Sequence, residues 1–373
     1  MELFILVAGA VVLTDAIKFP LEAGEDGDRM VIQDSNGDRV KLACVNWYGA
    51  HMENLVVNGL DVQTMDFIST KIKELGFNCV RLPFALDTFY KSRVISDSLL
   101  TANPALHGKT AMEIFDKTVE SLSNQGLMVI LNNHISTAKW CCDENDGEGL
   151  WFTNEYSEED FEDCLLEFTE RYKHINLVVG MDLRNELRKS HGVPAAWGSG
   201  EYNDWAAEAE RIGNKILEIN PDLLIFVEGV SYALDLTGAR SKHVELTNPK
   251  KLVYSGHVYA FSYILSDVHS YEDLMKKMHS MQSFVADQGH DYSAPYWMGE
   301  FGTGDNGDKW QYIIQFLKEN DHDWAYWSID GYKYPGGDEE SYGILERDYS
   351  TIRHNWKLEQ LQSIMEPTKI LEN

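Results

Sequence analysis

Eight short apolar runs, separated by stretches with helical periodicity, follow one another along the sequence after residue 20. Near-continuous apolar strands of this kind are typical of a parallel sheet that is covered by helices. Eight such alternations favour a single closed (β/α)8 barrel, the TIM-barrel architecture, whose active site lies at the carboxyl ends of the strands. The predicted strands are 40–47, 78–82, 127–133, 177–186, 223–228, 252–257, 296–300 and 324–329.

The segments between these runs predict the helices. Residues 62–75 place apolar side chains on one face and stop before Gly76, a residue suited to a helix C-cap. Only the helix between the fifth and sixth strands is expected to be short, around 242–248. Ahead of the barrel, residues 29–39 contain an Asn-Gly turn and predict a β-hairpin that covers the amino-terminal end of the barrel.

The N-terminus carries an apolar run, residues 3–13, that is too short to cross a bilayer. Thr14 and Ala16 provide small side chains at positions −3 and −1 of a cleavage site, so residues 1–16 resemble a secretory signal peptide. Glu2 replaces the usual positive charge, which leaves a retained N-terminal segment as the alternative. No linker divides the remainder, and we expect one domain over residues 17–373 in a secreted, monomeric protein.

The chain is strongly acidic. Its 60 aspartates and glutamates against 32 lysines and arginines give a formal net charge of −28 over 373 residues. Such a surface repels nucleic acid and anionic membranes, so neither is an expected partner. A neutral polysaccharide would not be repelled.

The five cysteines are an odd number and too few for a disulfide scaffold. Cys44 and Cys79 lie inside adjacent predicted strands and are expected to be small buried apolar residues. One bridge among Cys141, Cys142 and Cys164 is compatible with secretion, and its pairing stays open.

Two glutamates are the strongest functional signal. Glu186 closes the fourth predicted strand and Glu300 closes the seventh. Because all strand ends of a barrel open onto one face, both carboxylates are expected in one site. A pair of carboxylates is the minimal equipment for glycoside hydrolysis.

Six short motifs follow the order and the strand-end positions found in one enzyme family. On these motifs the chain resembles the family 5 glycoside hydrolases, cellulase-type retaining β-glycosidases, over nearly the whole mature chain. The motifs are 76–83 (GFNCVRLP), 132–134 (NNH), 184–186 (RNE), 257–259 (HVY), 299–302 (GEFG) and 326–331 (YWSIDG). Leu187 stands where many members have proline after the acid/base glutamate, which predicts a changed loop shape rather than lost chemistry.

The resemblance implies a role for each matching residue. Glu300 would be the nucleophile and Glu186 the general acid/base of a double displacement. Arg81 would keep Glu300 ionised, and Asn185 would bind the sugar 2-hydroxyl. The other implied substrate-binding residues are Tyr259, which orients the nucleophile, His134 and His257 in the polar floor, and Trp327 under the sugar.

Tryptophan rings stack on the apolar faces of sugars. Trp140 and Trp151 lie in the long loop after the third strand and are the better candidates for such subsites, whereas about half of Trp47, Trp140, Trp151, Trp197 and Trp297 are expected in the core. We expect no cofactor and no metal, because the metal-binding patterns His-X-His and His-Glu-X-X-His are missing.

The sequence therefore predicts a retaining β-glycosidase, O-glycosyl hydrolase class, acting on a β-linked glucan or oligosaccharide, with endo-β-1,4-glucanase as the preferred activity. Alternatives with the same chemistry are a β-mannanase, an exo-β-glucosidase and a glycolipid or flavonoid β-glucosidase. A non-catalytic carbohydrate-binding barrel is the remote alternative.

Overall fold

A closed barrel of eight parallel strands forms the centre of the molecule. The computed structural model describes residues 17–367; the predicted signal peptide, residues 1–16, lies outside this range. The strands of the structure are β1 (Glu22–Asp26) and β2 (Arg29–Gln33) ahead of the barrel, and then β3 (Ala43–Asn46), β4 (Cys79–Ala85), β5 (Met128–Ile135), β6 (Val178–Asp182), β7 (Leu224–Glu228), β8 (Leu252–His257), β9 (Tyr296–Phe301) and β10 (Asp323–Tyr326).

Neighbouring barrel strands follow one another in chain order, and β10 closes the barrel by pairing with β3. All eight predicted strands are present, and the (β/α)8 prediction is confirmed. The helices are α1 (Met65–Glu74), α2 (Leu86–Tyr90), α3 (Ala111–Asn124), α4 (Glu158–Tyr172), α5 (Trp205–Ile219), α6 (Val230–Ala233), α7 (Tyr271–Met281), α8 (Asp308–Glu319) and α9 (Asn355–Gln362).

The prediction of a helix around 242–248 is wrong. None of the residues 242–248 is helical, and the segment lies between two 3₁₀ turns, Thr237–Arg240 and Pro249–Lys251. Its polar groups bind neighbouring elements instead: the Tyr254 hydroxyl accepts from Val244 N, and a carboxylate oxygen of Glu210 accepts from Glu245 N. Partners outside the segment replace the bonds that a helix would have made.

The N-terminal hairpin exists but was predicted in the wrong place. Its strands, β1 and β2, pair antiparallel around a turn at Gly27, where φ is +62°, rather than around the Asn36–Gly37 turn. The latter brings only Gln33 and Arg39 into an antiparallel bridge. Ile32 of the hairpin is fully buried among apolar residues at the amino-terminal end of the barrel interior, so the hairpin covers the amino-terminal end of the barrel as expected.

The barrel interior changes from apolar to polar along each strand. Side chains alternate between the two faces of a strand, so one inward series on β7 is Leu224, Phe226 and Glu228. Leu224 and Phe226 belong to an apolar layer with Trp297 and the hairpin. The next inward layer is polar and fully buried, and contains Asn46, Arg81, Asn132, Asp182 and Glu228.

Two disulfide bonds are present. Cys44 and Cys79 are both buried, as predicted, but they are bonded to each other, which was not predicted. The parallel register places them directly opposite one another on β3 and β4. Cys141 is joined to Cys142, and Cys164 is free and buried in α4.

Each helix in residues 17–367 is too short or too polar to cross a bilayer.

Candidate active site

Glu186 and Glu300 meet at the carboxyl end of the barrel, as the sequence predicts. One oxygen of Glu186, one oxygen of Glu300 and one ring nitrogen of His257 lie within 4.8 Å of one another. Carboxyl groups about 5–5.5 Å apart are typical of retaining glycosidases, whereas inverting enzymes hold them about 6.5–9.5 Å apart to admit a water molecule. The spacing therefore favours a double displacement.

Arg81, on β4, organises the floor of the site. Its fully buried guanidinium donates to Glu300 Oε1 at 2.5 Å, to Asp182 Oδ2 at 2.8 Å and to Glu228 Oε1 at 3.0 Å. It also donates to Asn185 Oδ1 at 2.8 Å. Burial opposes the guanidinium charge, but the three carboxylates outweigh burial and raise the pKa of Arg81, so the residue stays charged.

Glu300 is held at both oxygens. Arg81 binds Oε1, and the Tyr259 hydroxyl donates to Oε2 at 2.8 Å. Burial raises the pKa of Glu300, while His257 and Arg81 act against that rise. Burial and the nearby Glu300 charge raise the pKa of Tyr259 well above its ordinary value, so its phenol remains a donor. The nucleophile candidate is thus fixed in position by two donors.

Glu186 follows β6 with a backbone that few non-glycine residues adopt. Its φ is +44°, in the left-handed region. The backbone N–H donates to Glu228 Oε2 at 2.6 Å, and the side-chain Oε1 is 3.0 Å from His257 Nδ1. Unfavourable backbone conformations persist where the surroundings hold them, and they cluster at functional sites.

His257, at the end of β8, lies between the carboxylates. Its Nε2 is 3.4 Å from Glu228 Oε1, and its Nδ1 faces Glu186 and is 3.9 Å from Glu300 Oε2. Burial opposes protonation, but Glu228 and Glu300 outweigh it and raise the pKa of His257 to about 10. At neutral pH the residue is therefore an imidazolium beside Glu186, Glu228 and Glu300.

Glu228 and Asp182 belong to the candidate site, but the sequence motifs did not reveal them. Both are fully buried in the polar layer and bind Arg81, and burial together with Glu228 raises the pKa of Asp182 to about 7. The signal that could have revealed them was alternation. Each acidic residue ends an apolar strand at an inward position, where a charged side chain needs a buried partner such as Arg81.

The remaining predicted site residues also come together. The cleft above the two glutamates is lined by His134, Asn185, His257, Tyr259 and Trp327, and Arg81 lies beneath it. The Trp327 ring packs parallel to Tyr48 at 4.9 Å and to His134 at 5.5 Å between ring centroids.

The five tryptophans divide as follows. Trp140 is 42% exposed and lines the cleft, as predicted for a subsite. The same prediction for Trp151 is wrong, because its ring is buried against Trp205 in the core. Trp47 and Trp297 are fully buried, and Trp197 is partly buried against the core.

The cleft has a volume of about 580 Å³ and is lined by residues from the loops after five barrel strands and by strand-end residues such as Glu300 on β9. Aromatic side chains dominate its wall. They are Trp140, Tyr232, Tyr259, Phe261, Tyr263, Trp327 and Tyr342. Ligand clefts of this kind combine apolar walls with a few polar groups that fix orientation, and the carboxylates supply the latter here.

Two groups in the described residues have donor atoms close enough to share a cation: Glu186 with His257 and Glu300, and Glu186 with Cys141 and Cys142. In the first group the raised pKa of His257 favours a protonated ring, which competes with a metal, and in the second group the sulfur atoms are bonded to each other and are not thiolates. The prediction that no metal is used stays a prediction.

A closed (β/α)8 barrel with two adjacent carboxylic side chains at the carboxyl ends of its strands is the arrangement of a glycoside hydrolase. The family model described as "Cellulase (glycosyl hydrolase family 5)" matches residues 34–333. The chain belongs to glycosyl hydrolase family 5.

Similar proteins and structures agree with this assignment. An endoglucanase of Paenibacillus polymyxa is 31% identical over 90% of this chain and 85% of its own length. A glycosyl hydrolase 5 family protein of Chamaecyparis obtusa is 30% identical over 91% of the chain, which spans 65% of that longer protein. The crystal structure of a Pyrococcus horikoshii endocellulase with cellotetraose has 28% identity and a TM-score of 0.78, covering 94% of this chain and 100% of that one.

Proposed function

We propose that this protein is an endo-β-1,4-glucanase that hydrolyses β-linked glucan or cello-oligosaccharides by double displacement. The observation that carries the proposal is the approach of the Glu186 and Glu300 carboxylates to within 4.8 Å above the Arg81 cluster. Similarity to proteins named endoglucanase and to endocellulase structures supports the choice of β-1,4-glucan.

In the first step Glu300 attacks the anomeric carbon and forms a glycosyl ester, while Glu186 donates its proton to the departing oxygen. In the second step the ionised Glu186 removes a proton from water, which attacks the same carbon and releases Glu300. Arg81 and Tyr259 hold the nucleophile. In this proposal Asn185 binds the 2-hydroxyl, and a hydrogen bond that strengthens in the transition state lowers the barrier.

We also propose secretion, with residues 1–16 removed as a signal peptide. Two disulfide bonds support it, since such bonds persist in oxidising compartments. The test is the N-terminal sequence and mass of protein secreted by a host that expresses the whole chain. A secreted chain that still begins at Met1 would contradict cleavage.

Activity is tested with a panel of soluble polysaccharides and aryl β-glycosides, using wild type beside Glu300→Gln. We expect wild type alone to shorten a β-1,4-glucan internally, so that viscosity falls faster than reducing ends accumulate. Cleavage only of β-mannan, or only of small aryl glucosides, would replace the proposed substrate. Binding without hydrolysis of any substrate would favour the carbohydrate-binding barrel.

A further inference from the structure

The Cys141–Cys142 disulfide lies inside the cleft, in the loop after β5. Both sulfur atoms are 3.8 Å from Asn185 Nδ2, and both lie within 4.8 Å of a Glu186 oxygen. The oxygen of the same Asn185 amide is fixed by Arg81 at 2.8 Å. The amide nitrogen therefore faces the sulfur atoms and the space that a sugar would fill.

We propose that this disulfide is a wall of the subsite for the β-glucosyl unit at the cleavage position. The inference rests on the proposed function. A hydroxyl that binds Asn185 Nδ2 shares that nitrogen with the two sulfur atoms, so the sugar and the disulfide are neighbours. Bonded sulfurs have no proton to donate and accept hydrogen bonds only weakly, so this wall is polarizable and apolar. It favours contact with the C–H surface of the sugar.

The rest of the loop is anchored without the disulfide. The Trp140 ring packs edge-on against Tyr48 at 5.7 Å between centroids. Beyond the cysteine pair, Arg188 donates to Asp146 Oδ2 at 2.6 Å and to the Asp143 carbonyl at 3.2 Å. Loss of the S–S bond should therefore loosen the wall while the loop remains attached to the barrel.

The wall is also open to reduction. Two thiol groups of dithiothreitol convert the S–S bond into two cysteine thiols and become a disulfide themselves, so electrons and protons balance. The second bridge provides a matched control, because Cys44 and Cys79 are fully buried in the apolar layer at the opposite end of the barrel. Both bridges have the same chemistry, and only one lines the cleft.

The experiment compares wild type, Cys141→Ala/Cys142→Ala and Cys44→Ala/Cys79→Ala on cellotetraose and on an aryl β-cellobioside. We expect the first variant to lose about tenfold in kcat/KM, as misplaced binding groups do, with little change in Tm. The control variant should keep kcat/KM within about twofold, while its Tm falls by about 5 °C through loss of a bridge.

A second measurement covers the case in which a variant fails to fold. The control variant, which retains only the cleft disulfide, is treated with dithiothreitol while mass spectrometry counts its thiols. Its kcat/KM should fall together with loss of that bond and recover on reoxidation. Unchanged kcat/KM in a folded Cys141→Ala/Cys142→Ala variant, or in the reduced control variant, would overturn the proposal that the disulfide is a wall of the subsite. An untreated wild type that cleaves neither substrate would instead overturn the proposed function.

Discussion

The Glu228 carboxylate accepts a hydrogen bond from the backbone N–H of Glu186 at 2.6 Å. The other Glu228 oxygen binds Arg81 at 3.0 Å, and Arg81 binds Glu300 in turn. One buried side chain thus links the proposed acid/base to the group that fixes the proposed nucleophile. It also holds Glu186 at its φ of +44°, a backbone conformation that needs support from its surroundings.

Glu228→Gln should therefore damage the acid step more than the fold. The amide keeps the shape but is a weaker acceptor than a carboxylate for the Glu186 N–H. The fold should survive, since Asp182 and Glu300 still neutralise Arg81. We expect kcat/KM to fall roughly 10- to 100-fold, with the larger loss on aryl cellobiosides that have poor leaving groups.

Asp182→Asn is the matched control for that variant. Asp182 binds the same Arg81, at 2.8 Å, and it is equally buried, but its side chain accepts hydrogen bonds from Arg81 and Asn132 rather than from the backbone of Glu186. The kcat/KM of Asp182→Asn should fall by a similar factor for all leaving groups. If Glu228→Gln also showed no dependence on the leaving group, Glu228 would not act through Glu186.

Glu186→Ala tests the proton donor directly. Cello-oligosaccharides need a proton on the leaving oxygen, so their kcat/KM should fall by about 10²–10⁴-fold, the usual contribution of general acid catalysis. A dinitrophenyl cellobioside has a leaving group that departs unaided, and its first step should be much less affected. Added azide should then yield a β-glycosyl azide. Equal losses on both substrates would contradict the role.

His257 should remain an imidazolium well above neutral pH. Burial disfavours its charge, but Glu228 and Glu300 outweigh burial and raise its pKa to about 10. A raised pKa stabilises the fold fully below the unfolded value of about 6.5, and this contribution is lost as pH rises through about 10. The unfolding free-energy difference between wild type and His257→Gln should shrink between pH 7 and pH 10.

Histidine NMR provides the second readout for that prediction. The signal of His257, assigned by its absence from His257→Gln, should show a doubly protonated ring at pH 8. A His257 signal that titrates near the ordinary value of about 6.5 would show that the surrounding carboxylates do not hold the proton.

The disulfide pattern can be checked by counting thiols. Two bridges leave Cys164 as the free cysteine among the five. Unreduced protein should therefore react with one equivalent of a thiol reagent after denaturation. Little reaction is expected in the native state, where Cys164 is buried and burial raises the pKa of its thiol well above the ordinary value. Three reactive thiols in the denatured protein would mean that one bridge does not form.

The sequence was sufficient for the barrel and for the proposed carboxylate pair. Strand periodicity located all eight strands, and strand ends must share one face, so Glu186 and Glu300 could be placed together without coordinates. The Cys44–Cys79 bond depends on strand register, which local pattern does not contain. Trp151 lies in a loop that turns back onto α5, and that packing is not encoded locally either.

Glu228 is the most informative omission. Its inward position follows from alternation along β7, but its partners lie on β4, after β6 and on β8 and become visible only in the closed barrel. The segment 242–248 was predicted as a helix because helices separate the other strands. Its backbone instead donates hydrogen bonds to the side chain of Glu210, which is distant in sequence, and to the side chain of Tyr254, which lies on the next strand.

The central claim is that Glu300 forms the covalent intermediate and Glu186 serves it as acid/base. The most direct measurement is to treat the protein with a 2-deoxy-2-fluoro-β-cellobioside carrying a good leaving group. The fluorine slows both steps, because both transition states resemble an oxocarbenium ion, and the good leaving group keeps formation of the glycosyl ester faster than its release. Intact mass should increase by one glycosyl unit per chain, and peptide mapping should place that unit on Glu300. A label on another residue would contradict the role of Glu300 as nucleophile. A wild-type hydrolysis product that first appears as the α-anomer would contradict the double displacement.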